Sequence, residues 1–526
     1  MLRFLWVAWW VCGAAAAVVA AAVSPYWWFL AVPLLALAVL AVWDVLQRQH
    51  SVLRNYPLLG HLRFVLEAVR PEVQQYFVER NVDGRPFDRD VRSIVYQRAK
   101  GTDAEEPFGT ELDVYEPGRE FLVPSLAPVA VPERAPRVRI GGPDCTRPYD
   151  MALLNVSAMS FGSLSANAVL ALNAGAALGG FAHDTGEGGL SEYHLRPGGD
   201  LVWELGTGYF GCRTRDGGFD PAQFAEKAAH PQVKCVSLKL GQGAKPGIGG
   251  VLPGQKVNAE IARVRGVPQG ETVVSPPYHR VFSTPRELVL FLARLRELAD
   301  GKPVGFKLCV GSRRQFLAVC KAMLAEGVTP DFVVVDGAEG GTGAAPLEFA
   351  DHVGMPLTEG LLTVRDALLG TGLRERIRIG ASGKVATGSD LVKRLVQGAD
   401  YTNAARAMMF ALGCIQAQRC HTNTCPVGVA TQDPRRARAL HVGDKSQRVA
   451  RYQEATVRSA LQIMAAMGVD DPADLHPEML RRRLDQRTVR SYAELHPPMA
   501  PGRLLAQPPR SWARDWHEAD PDRFTV

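Results

Sequence analysis

Apolar residues follow one rule in the first 46 positions and another in the rest of the chain. Residues 4–23 and 26–43 carry no charge at all, and each run is about as long as a helix that crosses the hydrocarbon layer of a bilayer. Ser24 and Pro25 predict a very tight turn between them. Tryptophans at 6, 9, 10, 27, 28 and 43 fall where the two headgroup regions would lie. A cleaved signal peptide is the competing reading of the first run, because its end is rich in alanine. The second run follows at once, which favours a two-helix transmembrane hairpin over residues 1–46. Arg3 before the pair and Arg48, Arg54 and Arg63 after it place both ends in the cytoplasm. The expectation is an inner (cytoplasmic) membrane protein with its bulk facing the cytoplasm.

Residues 47–120 read as a polar, mostly helical neck, with apolar residues at helical spacing over 71–80 and an extended piece from Pro86. A proline-rich lead-in covers 121–150. From Ala152 onward, short apolar runs alternate with helical stretches, the pattern of βα units around a parallel sheet. The predicted strands are 153–158, 180–183, 233–240, 272–275, 304–309, 332–336, 376–379 and 401–403. Eight such runs fit a (β/α)₈ barrel, although periodicity alone leaves a doubly wound sheet open. The main domain is drawn at 121–435. A charged, partly helical tail, 436–526, is expected to pack across it.

Composition narrows the partners. Hydrophobic residues at 47% and charged ones at 22% are ordinary for a globular protein with a small membrane segment. A net charge of +6 is modest for 526 residues, and no basic run is interleaved with aromatics. Nucleic acid is therefore not an expected partner. Nine cysteines spread over this length do not make a secreted disulfide framework and fit a reducing compartment. Only 12 of the 60 basic residues are lysines, so a lysine at a strand end stands out.

Three of those cysteines, Cys414, Cys420 and Cys425, fall within a dozen residues, and Pro426 follows the last. Thiolates hold iron–sulfur clusters, and a Cys-Pro closing a tight cysteine run is a familiar feature of such sites. Zinc fits less well, since a structural site nearly always takes four ligands. His421 would have to fold back sharply to be the fourth. Three buried core thiols is the remaining reading. Three cysteines without an evident fourth point to a three-iron cluster.

This loop resembles the cluster loop of the glutamate synthase large subunit. Four further motifs recur there in the same order: SFGSLS at 160–165, TGEGG at 185–189, GQGAKPG at 241–247 and GGTGA at 340–344. The resemblance covers roughly residues 125–435 and is closest to the short, membrane-anchored FMN-binding glutamate synthase family proteins. It implies a TIM barrel, FMN and a [3Fe-4S] cluster. Barrel sites lie on the loops after the strands, often with phosphate bound after strands seven and eight. The loop 380–384 with Gly383, and Ala405 and Arg406 after the eighth strand, are the phosphate candidates. Ser157, Ala158, Met159 and Ser160 would lie beside the flavin ring, with Gly341 also at the cofactor. Lys307, ending the fifth strand, would stabilise the reduced ring from its N1–C2 side. Pairing with a surface carboxylate is its alternative.

The predicted third strand delivers Lys239, Gln242 and Lys245, with Arg265 downstream. Cations converging near a flavin call for an anionic substrate. The resemblance implies 2-oxoglutarate held by Lys239, Gln242, Lys245 and Arg265, with Glu187 close to the reaction centre. Glu187, Lys239 and Lys307 are the expected catalytic residues. The chain departs from the long synthases at Ile248 and Val251, where they carry Glu and Gln, and this bears on which oxo acid is used. Cys12 sits inside an apolar segment and cannot be an amidotransferase nucleophile, so ammonia would come from solution or a separate glutaminase chain. No G-x-G-x-x-G follows a strand. Electrons would therefore come from a separate donor, a ferredoxin or an NADPH-oxidising subunit. The expected activity is reductive amination of 2-oxoglutarate, or a related 2-oxo acid, to an amino acid, by an oxidoreductase acting on CH-NH2 donors. The alternatives are an N-alkylglutamate-forming sister enzyme and a membrane-tethered redox subunit or sensor.

Overall fold

The computed structural model describes residues 2–102, 105 and 107–524, the side chains of residues 2–4 excepted. The Arg3 charge used in the topology argument lies outside that description. The chain divides into two compact units, 1–89 and 90–526.

In the first unit, helices Leu2–Val23 and Trp28–Leu46 are joined by the short turn Pro25–Trp27. Ala17, Ala21 and Ala31 form a buried cluster with Val18 and Leu34 against it, whereas Trp9, Val19, Phe29 and Val39 are exposed. Small side chains at the contact and large apolar ones outside are how helices pair in lipid. Both helices are long and apolar enough to cross a membrane. Asp44 is fully buried at the end of the second helix. It accepts the Leu58 N–H at 2.9 Å and meets His61 Nε2 at 2.9 Å.

The second unit is built on eight parallel strands closed into a barrel. In chain order they are β1 Leu154–Val156, β2 His183–Asp184, β3 Leu201–Leu205, β4 Val233–Lys239, β5 Val304–Leu308, β6 Phe332–Asp336, β7 Arg378–Ser382 and β8 Tyr401–Ala404. The barrel expectation holds, with one exchange of strands. The run at 272–275 is not in the barrel: Val273–Val274 pairs antiparallel with Val251–Leu252 inside the long β4–β5 connection. Val274 is exposed, as suits a surface hairpin. The missing strand is β3, whose five residues are all buried, Glu204 among them. Lys239 therefore ends the fourth strand rather than the third, while Lys307 keeps its place on the fifth.

Side chains alternate in and out along each strand. Cys235, Phe332, Val334 and Tyr401 fill the lower interior together with Ile140 and Met151. The last two come from the hairpin Arg137–Ile140 and Tyr149–Ala152, which plugs the N-terminal end of the barrel. Asp331, fully buried, fastens that end. It accepts from Gly142 N at 2.7 Å, Val304 N at 2.8 Å and Arg296 Nε at 3.1 Å. Outside the barrel, helix Ala166–Gly179 is covered by the long helix Val442–Ala466. Gly175 permits that approach, because a Cβ there would stand 2.7 Å from Val449 Cβ. Lead-in and tail join in one sheet, with Glu120–Leu122 paired to Leu480–Arg483 and that strand to Val489–Ser491. The last helix, Arg510–Glu518, lies on Arg313–Glu326, with Arg313 over the Trp512 ring at 4.4 Å and Lys321 over Trp516 at 4.8 Å.

Replacing Asp331 by Ala leaves buried Arg296 with only the exposed Asp144, at 3.8 Å, as a carboxylate partner and frees two backbone donors. A loss of about 3–5 kcal/mol is expected, the usual size for breaking a buried pair. Thermal unfolding of the full chain in detergent checks it, and an unchanged midpoint would count against Asp331 as the fastening.

Candidate active site

The apolar run of β4 ends on an inward-facing lysine at the C-terminal mouth of the barrel. Lys239 Nζ donates to Glu187 Oε1 at 2.7 Å and to Gln242 Oε1 at 2.6 Å. The chain then passes Gly243, where a Cβ would come within 1.6 Å of the Gly337 oxygen. Only glycine fits there. Its N–H donates to Asp336 Oδ2 at 2.8 Å, which sets the turn that leads to Lys245. Lys245 and Arg265 are both buried. Arg265 Nη2 donates to the Phe161 oxygen at 3.0 Å, and its guanidinium lies 5.0 Å from the Phe210 ring centre. Its Nε is buried without an acceptor among the described residues.

Glu187 is the carboxylate set among these cations, and it is pressed close to the backbone: a Cβ on Gly250 would stand 2.3 Å from its Oε1. Burial would raise the Glu187 carboxyl, but Lys239, Arg265 and Lys245 outweigh it and hold the group below its ordinary value. Burial, and then Lys239, push Lys245 down. Burial brings Arg265 to about 10, with Glu187 resisting. Three cations thus share one carboxylate in a place poor in water, an arrangement that an added anion would complete. His279, which sequence reasoning passed over, supports the strand end. Its Nε2 meets the Lys239 oxygen at 2.9 Å and its Nδ1 the Tyr209 hydroxyl at 3.0 Å. Burial pushes His279 down to about 4, so it stands there neutral.

Below this mouth lies a second layer of charge. Lys307 is the register partner of Lys239 on the neighbouring strand, and its ammonium pairs with Glu204 on β3. The partner is a carboxylate, as the alternative reading had it, but a buried one. Burial would lower Lys307, yet Glu204, Asp184 and Asp336 raise it. Asp184, whose Oδ1 accepts the Gly186 N–H at 2.9 Å, is raised by burial and by Glu204. Sequence reasoning missed Glu204 and Asp184. Acidic residues inside apolar runs were the available signal.

Ser157 Oγ and Ser382 Oγ face each other at 3.3 Å across the ends of β1 and β7. Ala158, Met159 and Ser160 carry the chain on from β1 over Gly186, where a Cβ would be 2.6 Å from the Ser160 nitrogen. After β7 the backbone turns through positive φ at Gly383 and Lys384. After β8, Ala405 precedes the helix Arg406–Leu412, which no side chain caps. Arg406 Nη2 donates to the Glu339 oxygen at 2.6 Å. Gly341 packs on the same guanidinium, with a Cβ there 2.7 Å from Nε. Burial brings Arg406 to about 10, with Asp336 and Glu339 resisting. A half-buried guanidinium beside glycine backbone and a helix start is a donor set that suits a phosphate.

The cysteine loop follows that helix. All three thiols are unpaired. Burial pushes Cys414 up to about 12, with Cys420 and Cys425 adding to the rise, and raises Cys420 with Cys425 adding. Among the described residues no three His, Cys, Asp or Glu side chains converge as ligands of a single metal ion. Positive φ at Gln416, Gln418 and Asn423 folds the loop. Tyr96 donates to the Cys414 oxygen at 2.6 Å. Gln432 Nε2 ties the loop to the segment after β1 through the Gly162 oxygen at 3.0 Å and the Leu164 oxygen at 2.7 Å.

A family model described as "Conserved region in glutamate synthase" matches residues 147–470. The "Glutamate synthase large subunit-like protein YerD" of Bacillus subtilis (strain 168) is 36% identical over 500 residues, covering 88% of this chain and 95% of that protein. The "Archaeal glutamate synthase (NADPH)" of Methanocaldococcus jannaschii is 34% identical over 330 residues, covering 62% of this chain and 61% of that protein. The match thus spans about three-fifths of the archaeal relative. A crystal structure of mandelate oxidase with (S)-2-phenylpropionate superposes with a TM-score of 0.41 at 14% identity, covering 82% of this chain and 97% of that one. A likeness that slight carries no argument about chemistry.

Glu204→Gln leaves the Lys307 ammonium buried against a neutral amide, and a loss of about 3–5 kcal/mol is expected. Adding Lys307→Met should recover much of it, since replacing both members of a buried pair is often close to neutral. Melting curves of the single and double variants test this. Losses that simply add would mean that the two side chains are not coupled.

Proposed function

The chain belongs to the glutamate synthase family, and from that premise we propose that it is an FMN- and iron–sulfur-dependent oxidoreductase that reductively aminates 2-oxoglutarate to glutamate. The observation that carries the substrate class is the cluster of Lys239, Lys245 and Arg265 around the single carboxylate of Glu187. The two carboxylates of a dicarboxylate substrate complete that balance. The net reaction joins a 2-oxo acid and ammonium with two electrons and two protons, giving the amino acid and water. Lys245 and Arg265 bind the dicarboxylate. Lys239, clamped between Glu187 and Gln242, orients the oxo group and presents an Nζ proton to its oxygen. Glu187 accepts a hydrogen bond from Lys239 Nζ at 2.7 Å and so fixes where that ammonium points. Lys307 and Glu204 close the barrel beneath and exclude water.

FMN fits the ends of β1, β7 and β8, with its phosphate at Gly383, Ala405 and Arg406. When bound it would supply the hydride equivalent. Ser157, Ala158, Met159, Ser160, Gly341 and Lys307 complete that assignment. Cys414, Cys420 and Cys425 would hold a [3Fe-4S] cluster. One thiolate per iron is a different demand from three donors on one ion, and three free cysteines in one loop folded through positive φ at Gln416, Gln418 and Asn423 are the donor set for it. The cluster would take electrons from a separate donor protein, and ammonia would come from solution or a partner chain. The hairpin over residues 1–46 anchors the enzyme in the cytoplasmic membrane, with the barrel in the cytoplasm.

Anaerobically purified protein should contain flavin, iron and acid-labile sulfide. Flavin without sulfide would remove the cluster from the proposal. Millimolar 2-oxoglutarate should perturb the flavin spectrum, and Lys245→Ala should weaken that binding by about 1.5–3 kcal/mol. No response in the wild type would sink the substrate. Because burial holds Lys245 below the ordinary lysine range and a bound anion draws it back up, affinity should fall as pH rises, earlier than for an exposed lysine. A profile flat through that range would show that Lys245 carries no part of the binding. Alkaline phosphatase fused after Arg54 should be inactive in cells, and activity would overturn the topology.

A further inference from the structure

Within the β4–β5 connection, Lys256 ends the short turn Gly254–Lys256 and is 2% exposed. Its Nζ has three carbonyl acceptors: Cys420 at 2.7 Å, Ser163 at 3.1 Å and Ala430 at 3.1 Å. Three acceptors require three N–H donors, and only the ammonium form has three. No carboxylate pairs with it among the described residues, and the ionisable groups acting on it are Cys420 and Cys425. A buried ammonium without a counter-ion is costly. The same turn meets the cysteine loop again, through Gln255 Nε2 to the His421 oxygen at 3.3 Å. Ser163 belongs to the segment that follows the flavin-side residues of β1. A lysine that only tied loops together would have no need of a site beside two thiols.

We propose that Lys256 is the fixed counter-charge of the iron–sulfur cluster, a positioning residue that raises its reduction potential and locks the cysteine loop to the segment after β1. The proposal rests on the cluster assignment for Cys414, Cys420 and Cys425. A cluster bound by three thiolates is anionic, and each electron it accepts adds one more negative charge. A cation held against the backbone of the cysteine loop stabilises the reduced form more than the oxidised one. The electron comes from the one-electron donor protein, and Lys256 keeps its proton throughout. Its three carbonyl acceptors leave the ammonium's own charge unneutralised, so its field reaches the sulfurs.

Lys256→Met, Lys256→Gln and Lys256→Arg in the full-length protein, titrated potentiometrically with the cluster followed by EPR, test this. The neutral Met and Gln variants should show a more negative midpoint potential than wild type, and Arg should stay near it. Should Met lose the loop, the comparison of Gln with Arg still decides. A wild-type potential in Gln or Met overturns the proposal. Iron lost from Arg as fully as from Gln and Met, with flavin retained, overturns it too, because packing rather than charge would then be what the residue serves. Iron lost from the neutral variants alone supports it. A wild type lacking iron and sulfide would instead remove the cluster assignment itself.

Discussion

A cation buried inside a closed barrel has to be answered by an anion, and the way each one is answered arranges this site. Arg296 is met by Asp331 at the plugged end. Lys307 is met by Glu204 in the middle layer and Lys239 by Glu187 at the mouth. Among the described residues no carboxylate forms an ion pair with the two cations that remain there. Lys245 and Arg265 remain buried with only a share in Glu187, and the resulting deficit of negative charge opens where a ligand arrives. Stability and recognition thus draw on one rule. Paired layers hold the barrel, and the unpaired one is where the proposed substrate site lies.

That rule also explains where sequence reading succeeded and failed. Runs such as 332–335 and 304–306 are apolar on both faces and carry their charged residue, Asp336 or Lys307, only near the C-terminal end, so they are legible as barrel strands. Leu201–Leu205 is equally buried but carries Glu204 in an unbroken core position. An acid in the middle of a strand argues against burial until its partner is known. That partner, Lys307, lies 103 positions away, so no local pattern reveals it. The reverse error has the same root. Val273–Val274 is as β-branched as any core strand, yet it belongs to a surface hairpin, because β-propensity reports fit to a pleat and not depth.

The site residues were legible as motifs long before they could be read as geometry. Glycine and cysteine announce themselves, since a 1.6 Å approach at Gly243 or a cluster of thiols tolerates no substitute. Lysines, glutamates and histidines do not. His279 looks like any loop histidine until its two nitrogens are seen bracing Tyr209 and the end of β4. Lys256 likewise has nothing in its neighbours to mark it, and its meaning lies in three carbonyls drawn from 163, 420 and 430.

The β4–β5 connection is where these threads meet. It begins with Gln242 and Lys245, passes the backbone of Gly250 against Glu187, braces itself with the hairpin Val251–Leu252 and Val273–Val274, and ends its first half on Lys256 and Arg265. Ile248 and Val251, expected from the resemblance to depart from the long synthases, sit in this same stretch. Val251 is spent on pairing with Val274 and is partly exposed, so its side chain adds rigidity rather than a hydrogen bond. A polar side chain at these positions would help to fix the far end of a substrate by direction. In the proposed function, apolar ones leave that end to Lys245 and Arg265, whose attraction is set by charge and distance. Such a site would discriminate strongly between anion and neutral, and more weakly among dicarboxylates of similar length.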